Sequence, residues 1–478
     1  MTNKKFYLTT PIFYPNAKLH LGHAYTTTVS DILVRYHRLA GDKTYFLTGS
    51  DENTQKVVHA AAAAGVEPKV FLDGIVENFK SLFSSLNISY DQFIRTGDEK
   101  VHWPGAIALW QKLSAADDLY KKEYEGLYCT GHEAFVTEKD LIDGKCPDHG
   151  TTPERIKEEN YFFKLSKYTP VIKSKIESGE LKIIPESRRR EILSLLGEGL
   201  QDVSFSRPRT PSSLGIPVPG DDSQVMYVWC DALSNYITAL GYGRDDALYQ
   251  EFWQNNDARM HVLGKDILRF HGAIWPGMLL SAGLPLPKTL LVHGFITSGG
   301  KKMSKTLGNV IDPEELLAEY GTDAVRYFLA RHISPFEDGD ITREGFKDAY
   351  NAGLANGLGN LASRIMQLAQ THLSQAVKVQ WKPFPKEFAD AMNKFEINRA
   401  VEYVWSRIQA LDQQITETAP FKVIKTDTAR GSELIANLVH ELATIDLMLE
   451  PILPATSKKI IDAIMANKKP ENLFPRKD

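Results

Sequence analysis

The sequence predicts an α/β protein in which a parallel sheet is interrupted by an insertion and followed by a helical bundle. Three observations support this prediction. Strand-like and helix-like segments alternate near the start of the chain, the same alternation returns after about residue 225, and strand-like runs almost vanish after about residue 345. Strands that alternate with helices form parallel sheets whose faces are covered by the helices.

The first alternation covers residues 5–49. Residues 5–10 (KFYLTT) are rich in aromatic and β-branched side chains and predict the first strand. Apolar residues at helical spacing predict a helix from about residue 22 to residue 39, and residues 43–49 (KTYFLTG) predict the second strand. This order is a βαβ unit, which indicates a Rossmann-type sheet with ligands at the carboxyl ends of its strands.

The second alternation covers residues 225–297. VMYVW (225–229) predicts a strand followed by a helix to about residue 240, and residues 258–264 predict a strand followed by a helix through residue 280. Residues 289–297 (TLLVHGFIT) predict a further strand. We divide the chain accordingly into 1–115 and 225–344, the two halves of a Rossmann-type domain, 116–224, an α+β insertion, and 345–478, an α-helical bundle.

The composition narrows the possible environments and partners. The net charge of -4 argues against a surface that binds nucleic acid indiscriminately, although a local basic patch can still bind RNA. The three arginines in residues 187–190 are more simply read as a solvated helix face. No apolar run approaches the roughly 20 residues that cross a bilayer. Three cysteines and the absence of a secretory signal predict a cytoplasmic protein that is not bound to a membrane.

The first motif, His20-Leu21-Gly22-His23, lies between the first predicted strand and the first helix. Histidines three residues apart share one face of a helix, and helix N-terminal amides favour anions. Gly22 lets a ligand approach the backbone. The pair can therefore donate to phosphate oxygens, but two histidines at this spacing also occur by chance or bind metal.

The second motif is a glycine-initiated cationic loop, GGKKMSKT (299–306), which follows a strand of the second half-sheet. Its lysines can clamp phosphates and neutralise a leaving pyrophosphate. A run of surface lysines is the commoner interpretation of such a segment. The Walker-type phosphate loop is absent from the sequence.

Together the two motifs resemble the HIGH and KMSKS elements of class I aminoacyl-tRNA synthetases. The resemblance to methionyl-tRNA synthetases extends over TTPIFYPNAKLHLGHAYTTT, LTGSDENTQK, VMYVWCDALSNY, HVLGKDILRFHGAIWP and KKMSKTLGNVIDP. It implies that ATP, with Mg²⁺, activates L-methionine, which is then transferred to tRNA(Met), including the initiator tRNA. It implies roles in catalysis or ATP binding for His20, Gly22, His23, Arg207, Lys265, Lys302, Ser304 and Lys305.

The resemblance also implies a methionine pocket with aromatic and aliphatic walls. Such walls suit an unbranched thioether, and the Asp51 carboxylate can pair with the substrate ammonium. Tyr14 and His271 could donate to the sulfur. Ordinary core packing is the competing interpretation of the aromatic residues. The implied pocket residues are Ile12, Tyr14, Asp51, Trp229, Leu233, Tyr236, Ile267, His271 and Trp275. One departure is Asn53-Thr54, where close relatives often have His and Gly.

The predicted insertion contains two C-x₂-H pairs, Cys129 with His132 and Cys146 with His149. This spacing suits one tetrahedral, structural zinc ion. The resemblance implies a knuckle of this kind, although its relatives usually have more cysteines and some have lost the metal.

The predicted bundle resembles the anticodon-binding domain of the same family. Asn360 and Arg364 are four residues apart on one helix face, and Phe421 stands where the family usually has a stacking Trp. We expect a monomer, because no dimerisation segment follows the bundle.

Three alternatives remain at this stage. The chain could be another class I synthetase with a small hydrophobic amino acid, a nucleotidyltransferase that shares the fold, or a catalytically silent RNA-binding or scaffold protein. Enzymes for leucine, isoleucine and valine are usually far longer, and the intact HLGH and KMSKT elements disfavour a silent protein.

Overall fold

The computed structural model describes residues 4–129, 134–147, 150–210, 213–303, 309–380 and 383–478. Its strands are β1 (Lys5–Phe13), β2 (Lys43–Ser50), β3 (Gln92–Arg95), β4 (Leu119–Cys129), β5 (Ala134–Val136), β6 (Glu154–Phe163), β7 (Lys182–Ile184), β8 (Val203–Ser204), β9 (Ser206–Pro208), β10 (Pro217–Val218), β11 (Asp221–Met226), β12 (Arg259–Gly264), β13 (Thr289–His293), β14 (Ile296–Ser298), β15 (Lys301–Lys302) and β16 (Gly339–Asp340).

The α-helices are α1 (Leu21–Leu39), α2 (Gln55–Ala64), α3 (Pro68–Ser85), α4 (Trp103–Ala115), α5 (Thr169–Glu177), α6 (Glu186–Glu198), α7 (Val228–Thr238), α8 (Ala247–Tyr249), α9 (Trp275–Ser281), α10 (Pro313–Tyr320), α11 (Thr322–His332), α12 (Arg343–Ala349), α13 (Asn360–His372), α14 (Lys386–Asn393), α15 (Ile397–Thr418), α16 (Pro420–Thr426), α17 (Thr428–Leu449) and α18 (Pro454–Ala466). Segments with π-helical i→i+5 hydrogen bonding are Gln250–Gln254, Phe270–Ile274 and Tyr350–Gly359. Among the described helices, none has the length and apolar character needed to cross a bilayer.

The central sheet has the strand order β3-β2-β1-β12-β13-β7, and all of its pairings are parallel. The predicted α/β fold with a parallel sheet is therefore confirmed. The chain leaves β1 toward β2 on one side and adds β12 on the other side. This reversal creates a crevice at the carboxyl ends of β1 and β12, where ligands of such sheets bind.

Side chains of β1 alternate between the two faces of the sheet. Phe6 and Leu8 pack into a core that includes α1 and continues into the helices after residue 345. Tyr7 packs into a second core on the opposite face, together with α7 and α9. The core on the α1 side therefore joins the sheet to the C-terminal helices.

Three sequence predictions about elements are corrected. VMYVW is not one strand, since β11 ends at Met226 and Trp229 lies in the first turn of α7. Its β-branched and aromatic residues are typical of a strand, which led to the wrong prediction. Because every residue of α7 is buried, its apolar residues are not confined to one face and show no helical periodicity. Strand 289–297 is broken at Gly294, whose Cα packs on the backbone of residues 337–338, and β14 pairs instead with β16. The helix predicted through residue 280 contains the π-helical segment Phe270–Ile274.

The segment predicted as an insertion contributes to the central sheet. Strand β7 pairs in parallel with β13, as Leu290 with Ile183, and forms an edge of that sheet. The remainder contains an antiparallel sheet in the order β5-β4-β6-β8, in which β4 and β6 pair over most of their length.

Arg326 of α11 is fully buried and joins three distant segments. Its guanidinium contacts the Asp31 carboxylate of α1 at 2.7 Å and donates to the carbonyl oxygens of Leu86, Pro451 and Ile452. Asp31 is equally buried and also accepts from Arg35 and Ser89. Burial alone would raise the pKa of Asp31, but the two arginines and Ser89 lower it. The Asp31 carboxylate therefore stays ionised, and the pair holds α1, α11, the end of α3 and the loop between α17 and α18 together.

We predict that Arg326→Ala destabilises the protein by about 3–5 kcal/mol, because it leaves the buried Asp31 carboxylate and three carbonyl oxygens without their donor. Urea unfolding followed by circular dichroism measures the change. Arg430→Ala is the matched control, since Arg430 forms an exposed ion pair with Glu433 and its removal should cost below about 1 kcal/mol. Equal midpoints for the two variants would contradict this role of Arg326.

Candidate active site

The crevice between β1 and β12 brings the predicted motifs to one edge of the sheet. His20 to His23 follow β1, Asp51 follows β2, and Lys265 follows β12. Lys302 follows β13 and β14 in the short strand β15. The parallel arrangement places the carboxyl ends of these sheet strands together.

His20 and His23 form a reciprocal cap at the N-terminus of α1. The backbone N–H of Gly22 donates to His20 Nδ1 at 3.0 Å, and the backbone N–H of His20 donates to His23 Nδ1 at 3.1 Å. Because each Nδ1 accepts, each neutral ring carries its hydrogen on Nε2. A Cβ on Gly22 would lie 2.8 Å from His20 Cε1, so glycine is required at this position.

The two imidazoles lie side by side at the start of α1. Their ring centroids are 3.9 Å apart. Burial, followed by the nearby His20 and His293, holds the pKa of His23 well below its usual value. The α1 N-terminus therefore presents Nε2–H groups at the positive end of the helix dipole, a combination that suits phosphate oxygens.

The lysine-rich loop begins in a tight turn between β14 and β15. Gly299 and Gly300 have φ values of 63° and 70°, which favour glycine, and Gly300 N donates to Asp340 Oδ1 at 2.8 Å. The backbone of Lys302 lies in β15. Ser304, Lys305 and Thr306 lie outside the described residues.

Lys265 is paired with a carboxylate that the sequence did not reveal. Its Nζ lies 2.7 Å from Asp338 Oδ1 and 4.4 Å from the centre of the Phe295 ring. Burial opposes ionisation of Asp338, but hydrogen bonds from Lys265 and Phe295 N lower its pKa. A phosphate that binds Lys265 therefore competes with Asp338.

The predicted aromatic residues meet in a buried cluster. Tyr236 Oη lies 2.7 Å from His271 Nε2, and its ring lies 5.9 Å from that of Trp275. Trp275 Nε1 donates to His261 Nε2 at 3.3 Å, and His261 Nδ1 contacts Thr9 Oγ1 at 2.8 Å. His261 was missed because a single histidine in a strand carries no signal in sequence.

The expected role of His271 as a donor to the thioether is corrected. Its Nδ1 lies 2.9 Å from the carbonyl oxygen of Ile267, which only accepts, so Nδ1 carries the hydrogen. Burial lowers the pKa of His271 to about 4, so the ring is neutral and Nε2 accepts from Tyr236. His271 therefore orients Tyr236 and has no N–H for the sulfur.

The remaining pocket residues surround this cluster. The Trp229 ring stacks on Phe270, with centroids 3.6 Å apart, and Leu233 is buried on the same helix. Phe270 was also missed, although it lies beside His271 in a segment that resembles the family. Asp51 is buried, and its charge adds to burial in raising the pKa of Tyr236, which indicates that the two are close.

Three partly exposed residues complete the predicted pocket. Ile12 lies within β1 rather than after it, at an irregularity in the pairing with β2. Lys56 Nζ lies 3.9 Å from the centre of the Tyr14 ring. Ile267 lies in a 3₁₀ turn, and the π-helical segment after it alters the expected spacing of four between Ile267, His271 and Trp275.

Arg207 lies in β9, in the sheet formed with β10 and β11. Its guanidinium is 2.6 Å from Glu158 and stacks 4.0 Å from the centre of the Tyr128 ring. Burial opposes its charge, but Tyr128, Glu158 and Tyr227 raise the pKa of Arg207. Any phosphate contact by Arg207 therefore competes with Glu158. Arg188 and Arg189 form ion pairs with Glu191 and Glu186 within α6, but the solvated face expected for them is corrected at Arg188, whose Nε is buried and whose charge helps to lower the pKa of Asp338.

The predicted metal knuckle is only partly described. Cys129 and Cys146 are both buried, whereas His132 and His149 lie outside the described residues. No group of three or more potential ligands that could hold a metal was found among the described residues. Cys146 is buried although the described residues beside it in sequence are exposed, and neither cysteine belongs to the two hydrophobic cores.

The predicted anticodon residues lie on the C-terminal helices. Asn360 is exposed at the start of α13, directly after the π-helical segment Tyr350–Gly359, and borders a groove of about 380 Å³. Arg364 is half-buried and pairs with Asp412 of α15. The Phe421 side chain is 40% exposed in the first turn of α16.

Comparison with known proteins identifies the family. A family model described as tRNA synthetases class I (M) matches residues 6–152 and 139–366. Methionine–tRNA ligase of Clostridium acetobutylicum is 44% identical over 474 residues, which are 96% of this chain and 73% of that protein. The enzyme of the same name from Rickettsia felis is 40% identical over 486 residues, which are 98% of this chain and 93% of that protein.

Solved structures agree with these matches. Mycobacterium tuberculosis methionyl-tRNA synthetase in complex with methionyl-adenylate aligns with a TM-score of 0.90 and 34% identity, covering 99% of this chain and 100% of that chain. The apo form of the Mycobacterium tuberculosis protein aligns with a TM-score of 0.82 and 31% identity, covering 99% and 98%. The predicted resemblance is confirmed, and the chain belongs to the methionine–tRNA ligase family of class I aminoacyl-tRNA synthetases.

Proposed function

We propose that this chain activates L-methionine with ATP and transfers it to the 3′ end of tRNA(Met), including the initiator tRNA. The observation that carries the proposal is the crevice at β1 and β12. The capped pair His20 and His23 lies at its β1 edge, and the buried cluster around Tyr236 contacts both strands through Tyr7 and His261. This arrangement supports the proposal of a phosphate site beside an apolar methionine site at one edge of the sheet.

The proposed first step is adenylation. A carboxylate oxygen of methionine attacks the α-phosphorus of ATP, the bond from that phosphorus to the β-bridging oxygen breaks, and pyrophosphate leaves. Mg²⁺ bound with ATP supplies positive charge to the phosphates. The neutral Nε2–H groups of His20 and His23 donate to phosphate oxygens as negative charge accumulates on them.

The cationic residues have separate proposed tasks. Lys302 and Lys305, with Ser304, bind the β- and γ-phosphates and the leaving pyrophosphate. Lys265 and Arg207 bind phosphate oxygens in exchange for Asp338 and Glu158, their partners in this structure. Since these exchanges replace one anion with another, the positive charges are never buried without a partner.

Recognition of methionine rests on charge and shape. The buried Asp51 carboxylate pairs with the substrate ammonium, and the walls formed by Trp229, Tyr236 and Trp275 enclose the thioether. Tyr14, at the end of β1, is the proposed donor to the sulfur. The hydrogen bond from Tyr236 to His271 fixes the far wall.

The anticodon of the tRNA is proposed to bind the C-terminal helices. Asn360 presents an exposed amide, Arg364 lies one helical turn later, and Phe421 exposes a ring that can stack on an unpaired base. We further propose that the chain acts in the cytoplasm as a monomer, a state that sedimentation equilibrium measures directly.

We propose one structural zinc ion bound by Cys129, His132, Cys146 and His149. The burial of both cysteines outside the two hydrophobic cores supports this assignment. With four protein ligands the ion would have no open position, so it would hold the insertion and take no part in adenylation.

The test of function is ATP–pyrophosphate exchange measured with each of the twenty amino acids. We expect methionine to stimulate exchange far above the others, and stronger stimulation by another amino acid would overturn the substrate assignment.

Asp51→Asn should reduce methionine-dependent exchange at least about thirtyfold, since it removes a buried partner of the ammonium. Asp323→Asn is the matched control. It removes a buried carboxylate that accepts from Thr456 N, outside the proposed active site, and it should leave exchange within about twofold of wild type.

Metal analysis tests the knuckle. Protein purified without added zinc should contain about one zinc ion per chain, and Cys146→Ser should lower that content. Folded wild-type protein that contains no zinc, even after zinc is supplied, would contradict the proposed site.

Kinetics with tRNA test the anticodon surface. Arg364→Ala should raise the KM for tRNA by about tenfold to a hundredfold, while ATP–pyrophosphate exchange stays near wild type. Its ion pair with Asp412 is partly exposed, so little stability is lost. Arg399→Ala, which removes an exposed ion pair with Glu396, is the control. Parallel losses of both activities in Arg364→Ala would refute the assignment.

A further inference from the structure

A partly buried polar contact ties the loop after β2 to helix α7. The side-chain amide of Asn53 donates to Asp231 Oδ2 at 2.7 Å and to the carbonyl oxygen of Thr96 at 3.1 Å. Asn53 thus uses both of its N–H groups, one toward α7 and one toward the loop after β3. Three segments that are far apart in sequence meet at this one amide.

The Asp231 carboxylate has a second hydrogen-bond partner, on Oδ1. His102 Nε2 lies 2.5 Å from Asp231 Oδ1, and His102 Nδ1 lies 2.7 Å from Thr238 Oγ1. His102 and Asp231 are both fully buried. Asp231 also lies in the first turn of α7, where the helix dipole favours a negative charge. Both oxygens of this buried carboxylate therefore have a donor.

The loop after β2 is held at a second point. Thr96 Oγ1 accepts from the backbone N–H of Glu52, and Thr96 N donates to the carbonyl oxygen of Ser50. Residues 50–53 are thus fixed on both sides of Asp51. Since Asp51 lies two residues before Asn53, and Trp229 two residues before Asp231, the contact links the proposed ammonium ligand to the proposed pocket wall.

We infer that Asn53, His102 and Asp231 are positioning residues for methionine, which hold the Asp51 carboxylate in register with the pocket helix α7. The inference rests on the proposed function, because it needs methionine in this crevice. It also accounts for a departure seen in the sequence. Asn53 stands where close relatives often have His, and an amide keeps an N–H donor for Asp231.

The geometry explains why this position matters. The ammonium contact needs the Asp51 carboxylate at hydrogen-bonding distance, and a displacement near 1 Å can cost about a hundredfold in rate. Loss of the Asn53 amide would leave the Asp231 Oδ2 oxygen and the Thr96 carbonyl without this donor, so the loop would move to find other partners.

The experiment is a thermodynamic cycle that measures the coupling between two groups, the ammonium of the ligand and the side-chain amide of Asn53. Binding of L-methionine and of 4-(methylthio)butanoate, which lacks the ammonium, is measured by inhibition or titration with wild type and with Asn53→Leu. We expect Asn53→Leu to weaken methionine binding by about tenfold to a hundredfold and to change binding of the analogue by less than about threefold. Asn53→His should restore most of the methionine affinity.

Asn256→Leu is the matched control. Asn256 is a buried amide that donates to the carbonyl oxygen of Phe252, outside the proposed site, so its loss should affect both ligands equally. If Asn53→Leu weakened the binding of both ligands equally, Asn53 would have only a structural role and the inference would be overturned.

If Asn53→Leu fails to fold, a second pair of variants tests the same contact. Asn53→Asp should weaken methionine binding, and the double variant Asn53→Asp with Asp231→Asn should recover it. Failure of that recovery would also overturn the inference.

The two proposals fail differently. If wild type gives no methionine-dependent exchange, the proposed function fails. If wild type is active and the cycle shows no coupling, only the positioning role fails.

Discussion

The buried pair between Arg326 and Asp31 is the interaction on which the arrangement of the chain depends. Asp31 lies on α1, the same helix whose first turn carries His20 and His23. Arg326 binds that helix and also the carbonyl oxygens of residues 451–452 between α17 and α18. Both charged groups are fully buried. If either moved away, the other would be left as a buried charge without its partner, which is strongly destabilising. Helix α1 and the C-terminal helices are therefore held in a fixed relative position by one buried ion pair.

Neutral histidines are the second constraint. His261, His271 and His293 are buried and His23 is partly buried, and desolvation is the first cause that lowers the pKa of each. Neutral rings have one N–H and one acceptor, so each hydrogen bond fixes which nitrogen carries the hydrogen. At His20 and His23 this rule places the hydrogen on Nε2, and at His271 it places the hydrogen on Nδ1 and leaves Nε2 to accept from Tyr236. The same residue type thus presents a donor in one place and an acceptor in another.

The sequence was most informative where local patterns decide structure. The βαβ order, the start of α1 near Gly22 and the helical character after residue 345 follow from periodicity and turn residues. It was least informative where tertiary packing decides. Helix α7 looked like a strand at Val228 and Trp229, and the partners His261, Phe270, Asp338 and Glu158 lie far along the chain from the residues they contact. Long-range pairing leaves no trace in the spacing of a single sequence, so motifs indicate the reaction more readily than the groups that position it.

The departure at Asn53 shows how far a single substitution can be interpreted. From the sequence alone, the backbone geometry beside Asp51 could not be predicted, because Asn53 differs from the residue that the resemblance implies at this position. In the structure the amide supplies a donor to a buried carboxylate and a second donor to a neighbouring loop. A residue without such a donor would leave the Asp231 Oδ2 oxygen without its partner, at a cost of about 1–3 kcal/mol, whereas the Thr96 carbonyl would still accept from Trp103 Nε1. What the fold requires at this position is therefore a hydrogen-bond donor of suitable reach, and Asn53 meets that requirement. On the proposed function, recognition of the methionine ammonium by Asp51 would then depend also on neighbouring residues that do not touch the substrate.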